Sequence, residues 1–425
     1  MSRHAIAAAT IGNGLEFYDF ITFTFFSIQI GQAFFPTGNA FTSLMGALAT
    51  FGAGFVTRPL GALILGTFAD RVGRKPAMLL SFALMGGAIV VLALTPGYAS
   101  IGIAAPLIAI LARLVQGFAL GGEVGSATAY LLEMAPLHRR GFAASWQGAS
   151  QGVAATIGAS MGLVLTALLP HDLAQAYAWR IALLLGALTV PFGLWVRNRI
   201  PETLALDEQY AAAPPAHGAR PYLKVIVLGL IIIGAGTTST YIFHYMATFG
   251  QATLHLSASV SFTAVVVNSG VLVVTVLTGG WLSDRYGRKP VMIGAMLPFA
   301  ALILPMFLWL TTQRDAVSFI TANFLLSTAN GFIWGAFYAA LIESLPKRIR
   351  TRTFAMVYSG SVAVIGGSTQ PIIAWLVHVT GNPMAPAWYL TGVTLIGLMA
   401  VLRFPESAPV RRIPPAAREL ALSVG

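Results

Sequence analysis

Apolar residues in this chain come in unbroken runs rather than in stripes. A surface helix of a soluble protein repeats apolar positions every third or fourth residue, and a half-buried strand every second. Here the runs extend over roughly 20 residues or more, the length a helix needs to cross a hydrocarbon core about 30 Å thick. Twelve of them predict helices over residues 5–32, 40–69, 76–96, 102–134, 142–169, 178–198, 223–250, 258–283, 290–312, 316–344, 353–379 and 386–404. A transmembrane barrel would alternate, so strands are excluded. The opening "MSRHAIAAATIG" has the basic start and small-residue run of a signal peptide, yet its run carries acids and continues for a full span, which predicts a retained first helix.

Composition agrees, with 56% hydrophobic and 9% charged residues in 425. There is no cysteine, which removes disulfides and thiolate metal sites; no metal site or cofactor is expected. The net charge of +11 would suit nucleic-acid binding if the charges were clustered on a soluble face, but they are sorted by side. Of 25 Lys and Arg residues, only Arg180 and Arg314 fall on one side of the predicted spans and Arg58 and Arg113 within them, while the rest lie on the other side. By the positive-inside rule that basic side is cytoplasmic, with both termini on it. The expected setting is a bacterial inner membrane with the lipid bilayer as a partner, no nucleic acid, and a monomeric chain.

The chain also repeats itself. "GTFADRVGRKP" at 66–76 returns as "GWLSDRYGRKP" at 280–290, and Glu133 and Pro136 return as Glu343 and Pro346. Phe142, Ala143 and Trp146 find counterparts in Phe354, Ala355 and Tyr358. The expected organisation is an all-α membrane protein with 12 transmembrane helices in two pseudo-symmetric six-helix halves, 1–198 and 223–405. They are joined by a polar, proline-bearing cytoplasmic linker, 199–222, and followed by a tail, 406–425, expected to be disordered.

The paired "DRxGRKP" loops and "ARLVQGFALGGEVG" in the fourth span resemble the signature of the major facilitator superfamily. "GNGLEFYDF", "TRPLG", "LLEMAP", "GFAASWQGASQG" and "WRIALLLG" resemble its metabolite:proton symporters. "TPGYASIGIAAP", "TTSTYIFHYMATFG" and "GNPMAPAWYL" are most similar to the citrate and tricarballylate carriers among them. The resemblance covers nearly the whole chain and implies the major facilitator fold and proton-coupled uptake of a small organic acid.

Charges inside a bilayer cost about 2.5–3.5 kcal/mol each on insertion scales, so those present mark a cavity or a partner. Asp19 lies roughly 21 Å along the first helix at 1.5 Å per residue, and Arg113 falls near the same level on the fourth. An aspartate beside an arginine stays ionised, and one released into an apolar cavity takes up a proton. Substrate competing for Arg113 throws that switch, and the resemblance implies such coupled roles for the two; a permanent ion pair fixing two helices is the alternative. Glu16, one turn below Asp19, and Glu123 are rival proton carriers, and Glu123 equally fits a cavity-lining carboxylate. Arg58 either binds substrate anion or pairs with Glu16. Gly117, Gly121 and Gly125 give the fourth span a smooth stripe for close helix approach.

The repeated loops predict a cytoplasmic gate of Gly66, Asp70, Arg71, Gly73, Arg74 and Glu133 in the first half and Asp284, Arg285, Gly287, Arg288 and Glu343 in the second. By resemblance these form salt-bridge clusters that hold the carrier outward-open and break as it turns inward; basic loops serving only as topology anchors are the bland reading.

No "GxxxxGK[ST]" phosphate loop occurs, so an ion gradient supplies the energy, and span five lacks the Gly-Pro pair that resembles drug antiporters. The polar residues of the spans are expected to line the pathway, with Arg113, Arg58, Gln116, Gln147, Ser150, Gln151, Tyr241, His244, Tyr245 and Tyr338 as substrate-binding candidates. Asn13, Trp146, Thr237, Thr238, Ser239, Thr240, Asn268, Asn330 and Trp334 add to the polar set. A deep arginine among neutral donors suits a small polycarboxylate carried with protons, or with sodium. A zwitterionic osmolyte held in an aromatic cage stays open, as does another acid such as 2-oxoglutarate or a shikimate-like compound. A channel would show no accumulation. An enzyme is not expected, because no nucleophile, metal cluster or cofactor fingerprint occurs.

Overall fold

The computed structural model of the chain describes residues 10, 13–14, 17–18, 20–72, 74–121, 128, 131–132, 135–188, 222–346 and 350–412. Every regular element among the described residues is helical. Among the described residues eight helices are long and apolar enough to cross a bilayer, from Ala40–Leu65 to Ala385–Arg403, and shorter apolar helices lie at Leu79–Leu94 and Ala104–Leu120. The first run is helical over Phe20–Phe25 and, after a turn at Phe26, over Ser27–Phe34; the sixth includes Trp179–Ala187. The chain is an all-α membrane protein of twelve transmembrane helices in two six-helix halves.

Short polar residues set where several spans begin. Asn39 accepts from the Phe41 and Thr42 amides at 2.8 and 3.4 Å before the second span, and Asp315 accepts from Ser318 N at 2.7 Å before the tenth. Gly287, at φ 105°, makes the turn between the eighth span (Ala258–Tyr286) and the ninth (Arg288–Gln313), a left-handed conformation open to glycine. The second span divides at Thr57 into Ala40–Val56 and Arg58–Val72, beside Pro59, which has no amide to donate. The eleventh contains one π-helical turn, Val362–Gly366, between Arg350–Ser361 and Gly367–Thr380.

Large apolar side chains are exposed on the outside while polar ones are also buried within the apolar core. Leu63, Leu111, Val274 and Met399 are exposed, where lipid would meet them, whereas Arg113, Thr238, Ser283 and Gln370 are completely buried. Glycine allows the closest crossings. A Cβ on Gly117 would overlap the Gly54 carbonyl and one on Gly121 the Arg58 carbonyl, so the expected stripe is what seats the fourth span on the second; Gly125 lies outside the described residues. Across the two halves, Gly141 of the fifth span (Arg140–Leu168) meets Gly280 of the eighth, and Gly52 of the second meets Gly367 of the eleventh.

The linker lies almost wholly outside the described residues. The start of the tail differs from expectation, because Ser407–Arg412 is ordered. Ala408 N and Ser407 Oγ bond Glu406 and Glu343, and Pro409–Arg412 forms a short helix. Glu406 itself accepts from Arg288 N and Lys289 N at 3.0 and 3.1 Å, capping the ninth span.

Candidate functional site

Two arginines meet in the middle of the first half. Arg113, on the fourth span (Ala104–Leu120), is completely buried, and Arg58 is nearly so. They lie over the ring of Phe20, with guanidinium carbons 4.2 and 4.4 Å from its centroid. Phe23 and Phe51 also face Arg113, at 4.5 and 5.1 Å, and Phe55 faces Arg58 at 4.3 Å. Each such contact is worth about 0.5–2 kcal/mol. The hydrogen bonds of Arg113 go to neutral oxygens, Gln116 Oε1 at 2.6 Å and the Phe20 carbonyl at 3.5 Å. Among the described residues no carboxylate pairs with Arg113, and the contacts it makes with them are to rings and neutral dipoles.

This cluster touches the second half through Tyr241 of the seventh span (Leu223–Ala252). Its ring lies 5.8 Å from Phe51, 5.4 Å from Phe55 and 5.7 Å from His244. Gln370 of the eleventh span donates to the Tyr241 carbonyl at 3.2 Å and accepts from Thr24 of the first span at 3.3 Å. Beyond Tyr241 is a cavity of about 20 Å³ between the halves, lined by Gln151 of the fifth span, Thr240 and His244 of the seventh, and Trp334 and Tyr338 of the tenth. That volume holds one oxygen-sized group.

Contacts between the halves lie toward both ends of the molecule. At the end carrying the "DRYGRKP" loop, the Asp284 carboxylate accepts from Gly141 N and Phe142 N at 2.8 and 2.9 Å, capping the fifth span of the opposite half. Arg288 bonds Asp284 at 2.7 Å and holds Glu343 through two nitrogens at 3.1 and 3.0 Å, with all three side chains buried. At the opposite end Phe41 stacks on His378 at 3.7 Å, and Phe26 lies 5.4 Å from Phe262.

The expected residues divide accordingly. Arg113, Gln116 and Arg58 come together, and so do Gln151, His244 and Tyr338, with Tyr241 between the two sets. Gln147 and Ser150 are turned to Asn13 instead: Asn13 donates to Ser150 Oγ at 2.6 Å and accepts from Gln147 Nε2 at 2.8 Å, which ties the first span to the fifth. Tyr245 packs 6.4 Å from Phe249, away from the cavity lining. Asp284, Arg288 and Glu343 form one buried ion-pair cluster beside the turn at Gly287, whereas Arg285 is exposed and lies 4.1 Å above the Trp281 ring. Asp19, Glu16, Glu123, Gly73 and Glu133 lie outside the described residues, as do the side chains of Asp70, Arg71 and Arg74 and the surroundings of Gly66. Sequence reading overlooked the phenylalanines, although Phe17, Phe20 and Phe23 at intervals of three and Phe51 and Phe55 at four marked one helix face each. It also passed over Thr24, Gln370 and Glu406.

Residues 259–424 match the family model described as major facilitator superfamily, and residues 5–213 the one described as sugar (and other) transporter. A citrate-proton symporter of Salmonella typhi is 36% identical to this chain, covering 93% of it and 92% of the relative. This chain belongs to the major facilitator superfamily. A second member, the glycine betaine/proline/ectoine/pipecolic acid transporter of Dickeya dadantii, is 31% identical over 99% of this chain and 87% of that protein. Among solved members, the crystal structure of a D-xylose-proton symporter superposes with a TM-score of 0.76 at 16% identity, covering 96% and 98% of the two chains, a likeness of fold. As a superfamily member the chain is a membrane transporter and not an enzyme.

Proposed function

We propose that the protein is a proton-coupled symporter that takes up a small organic polycarboxylate, of the citrate or tricarballylate kind, by alternating access. The observation that carries this reading is Arg113: a completely buried guanidinium, bonded to neutral oxygens, beside a second arginine and separated by Tyr241 from a cavity between the halves. A carboxylate of the substrate supplies the counter-charge that the rings do not. The relative at 36% identity, named for citrate and protons, supports the same substrate class.

Coupling is assigned to Asp19, with Glu16 and Glu123 as rivals, through competition for Arg113. The gate of Asp284, Arg288 and Glu343, with the repeated Asp70, Arg71, Arg74 and Glu133, is assigned to the cytoplasmic side, as are both termini. Two rigid halves, 1–198 and 223–405, rock about the cavity in a bacterial inner membrane, and one chain suffices.

A zwitterionic osmolyte is the second reading, favoured by the 31% identity to the glycine betaine transporter. Against it, guanidinium groups already lie over Phe20, Phe23, Phe51 and Phe55, and a substrate cation caged by those rings would meet the like charge of Arg58 and Arg113. Uptake of labelled citrate, tricarballylate, 2-oxoglutarate and betaine into expressing cells at two pH values separates them. Citrate or tricarballylate uptake that is greater at the lower pH and abolished by an uncoupler is expected; betaine uptake alone overturns the reading.

A further inference from the structure

The cavity has a chemical character distinct from the arginine cluster. None of its lining side chains carries a carboxylate, lysine or arginine. Two of them hold buried nitrogens with no hydrogen-bond partner among the described residues: Trp334 Nε1 and His244 Nδ1, on side chains of residues 7% and 6% exposed. A buried polar atom left unpaired costs about 1–3 kcal/mol, and folded proteins keep few of them. Both residues line one small space between the halves, where a ligand group could pair with the two nitrogens.

Their chemistry restricts that group. The indole N–H can only donate, and a neutral imidazole nitrogen donates or accepts. Packing holds both in place: Trp334 stacks on Tyr338 at 5.2 Å, and His244 meets Phe25 and Tyr241 edge-on at 5.8 and 5.7 Å. Where Nδ1 accepts, a group on an organic acid that takes the indole proton and donates to the imidazole is an alcohol or an un-ionised carboxyl. An ionised carboxylate finds its cation on the other side of Tyr241, at Arg113.

We propose that Trp334 and His244 form a second, neutral subsite that selects substrates by a hydroxyl or un-ionised carboxyl, while the arginine cluster takes the ionised carboxylate. This rests on the carboxylate reading above. It makes the second half of the transporter, which lacks the arginines, the half that ranks one polycarboxylate against another.

The test is initial-rate uptake of citrate, tricarballylate and a plain dicarboxylate by the full-length protein and by Trp334→Phe and His244→Phe, with membrane abundance measured for each. Both changes keep a ring and remove the nitrogen. If the selected group is the hydroxyl, KM for citrate rises about tenfold in both variants and KM for tricarballylate does not change. If it is the third carboxyl, both tricarboxylates lose about tenfold and the dicarboxylate does not. Equal changes for all three acids, or unchanged KM values throughout, overturn the subsite while leaving the carboxylate reading intact. Failure of the unmodified protein to take up any of the acids overturns both.

Discussion

The guanidinium of Arg113 does work that a point charge could not. Three phenylalanine rings press on its faces while its edge reaches Gln116 and the Phe20 carbonyl. A lysine in its place would keep the charge but lose the planar stacking and the fork of donors. Arg113→Lys is therefore expected to lower citrate uptake at least 30-fold, a loss of about 2 kcal/mol, at unchanged membrane abundance. Uptake within threefold of the unmodified protein would remove Arg113 from the binding site. Asp19→Asn is expected to separate exchange from accumulation: counterflow of substrate across the membrane continues, and concentration against a gradient stops. Accumulation with an unaltered pH dependence would move the proton to Glu16 or Glu123. How the arginine is held was hard to read in the sequence. A buried cation suggests a carboxylate partner, and phenylalanine in a membrane span is ordinary filler until the fold shows which faces converge.

Among the helices, the fifth and eighth spans form the most consequential crossing, because they belong to different halves. Asp284 caps the fifth span from the eighth, and a side chain on Gly141 would run into Arg288, Ser283 and the Gly280 carbonyl. Removing one member of a buried ion pair costs about 3–5 kcal/mol where the partner is left uncompensated. Asp284→Asn weakens the cap and the tie to Arg288 together. The chain has no cysteine, so a single cysteine introduced at Gln151 reports accessibility without background. With Asp284→Asn, labelling of that cysteine from the side of the "DRYGRKP" loop should increase and transport should slow; unchanged labelling would deny the loop its gating role. Gly52→Leu should do the reverse, because its Cβ would stand 2.6 Å from the Gly367 carbonyl, and labelling should increase from the opposite side. The repeat drew notice to Asp284, Arg288 and Glu343 as charged residues, since acids and bases recurring at fixed spacing are rare in apolar sequence. The parts supplied by unrepeated residues, Glu406 and Ser407 from the tail, had no such signal and appear only where the chain folds back on the ninth and tenth spans.

For the whole molecule, hydrophobic run length was enough to place nearly every helix, because a bilayer leaves a spanning segment little choice of structure. It could not say which polar residues face the pathway and which join helices. Gln147 and Gln151 lie four apart on one helix, yet Gln147 is bound to Asn13 while Gln151 reaches the cavity. Contacts join the two halves toward both ends of the molecule, and alternating access requires that those at one end break while those at the other hold. The central claim is tested most directly in proteoliposomes containing the purified protein, with labelled citrate outside and an imposed pH gradient, inside alkaline. Accumulation of citrate above its outside concentration, collapsing when a protonophore is added and absent with Arg113→Gln, is the result expected. Equilibration to equal concentrations regardless of the gradient, or accumulation that survives Arg113→Gln, would contradict it.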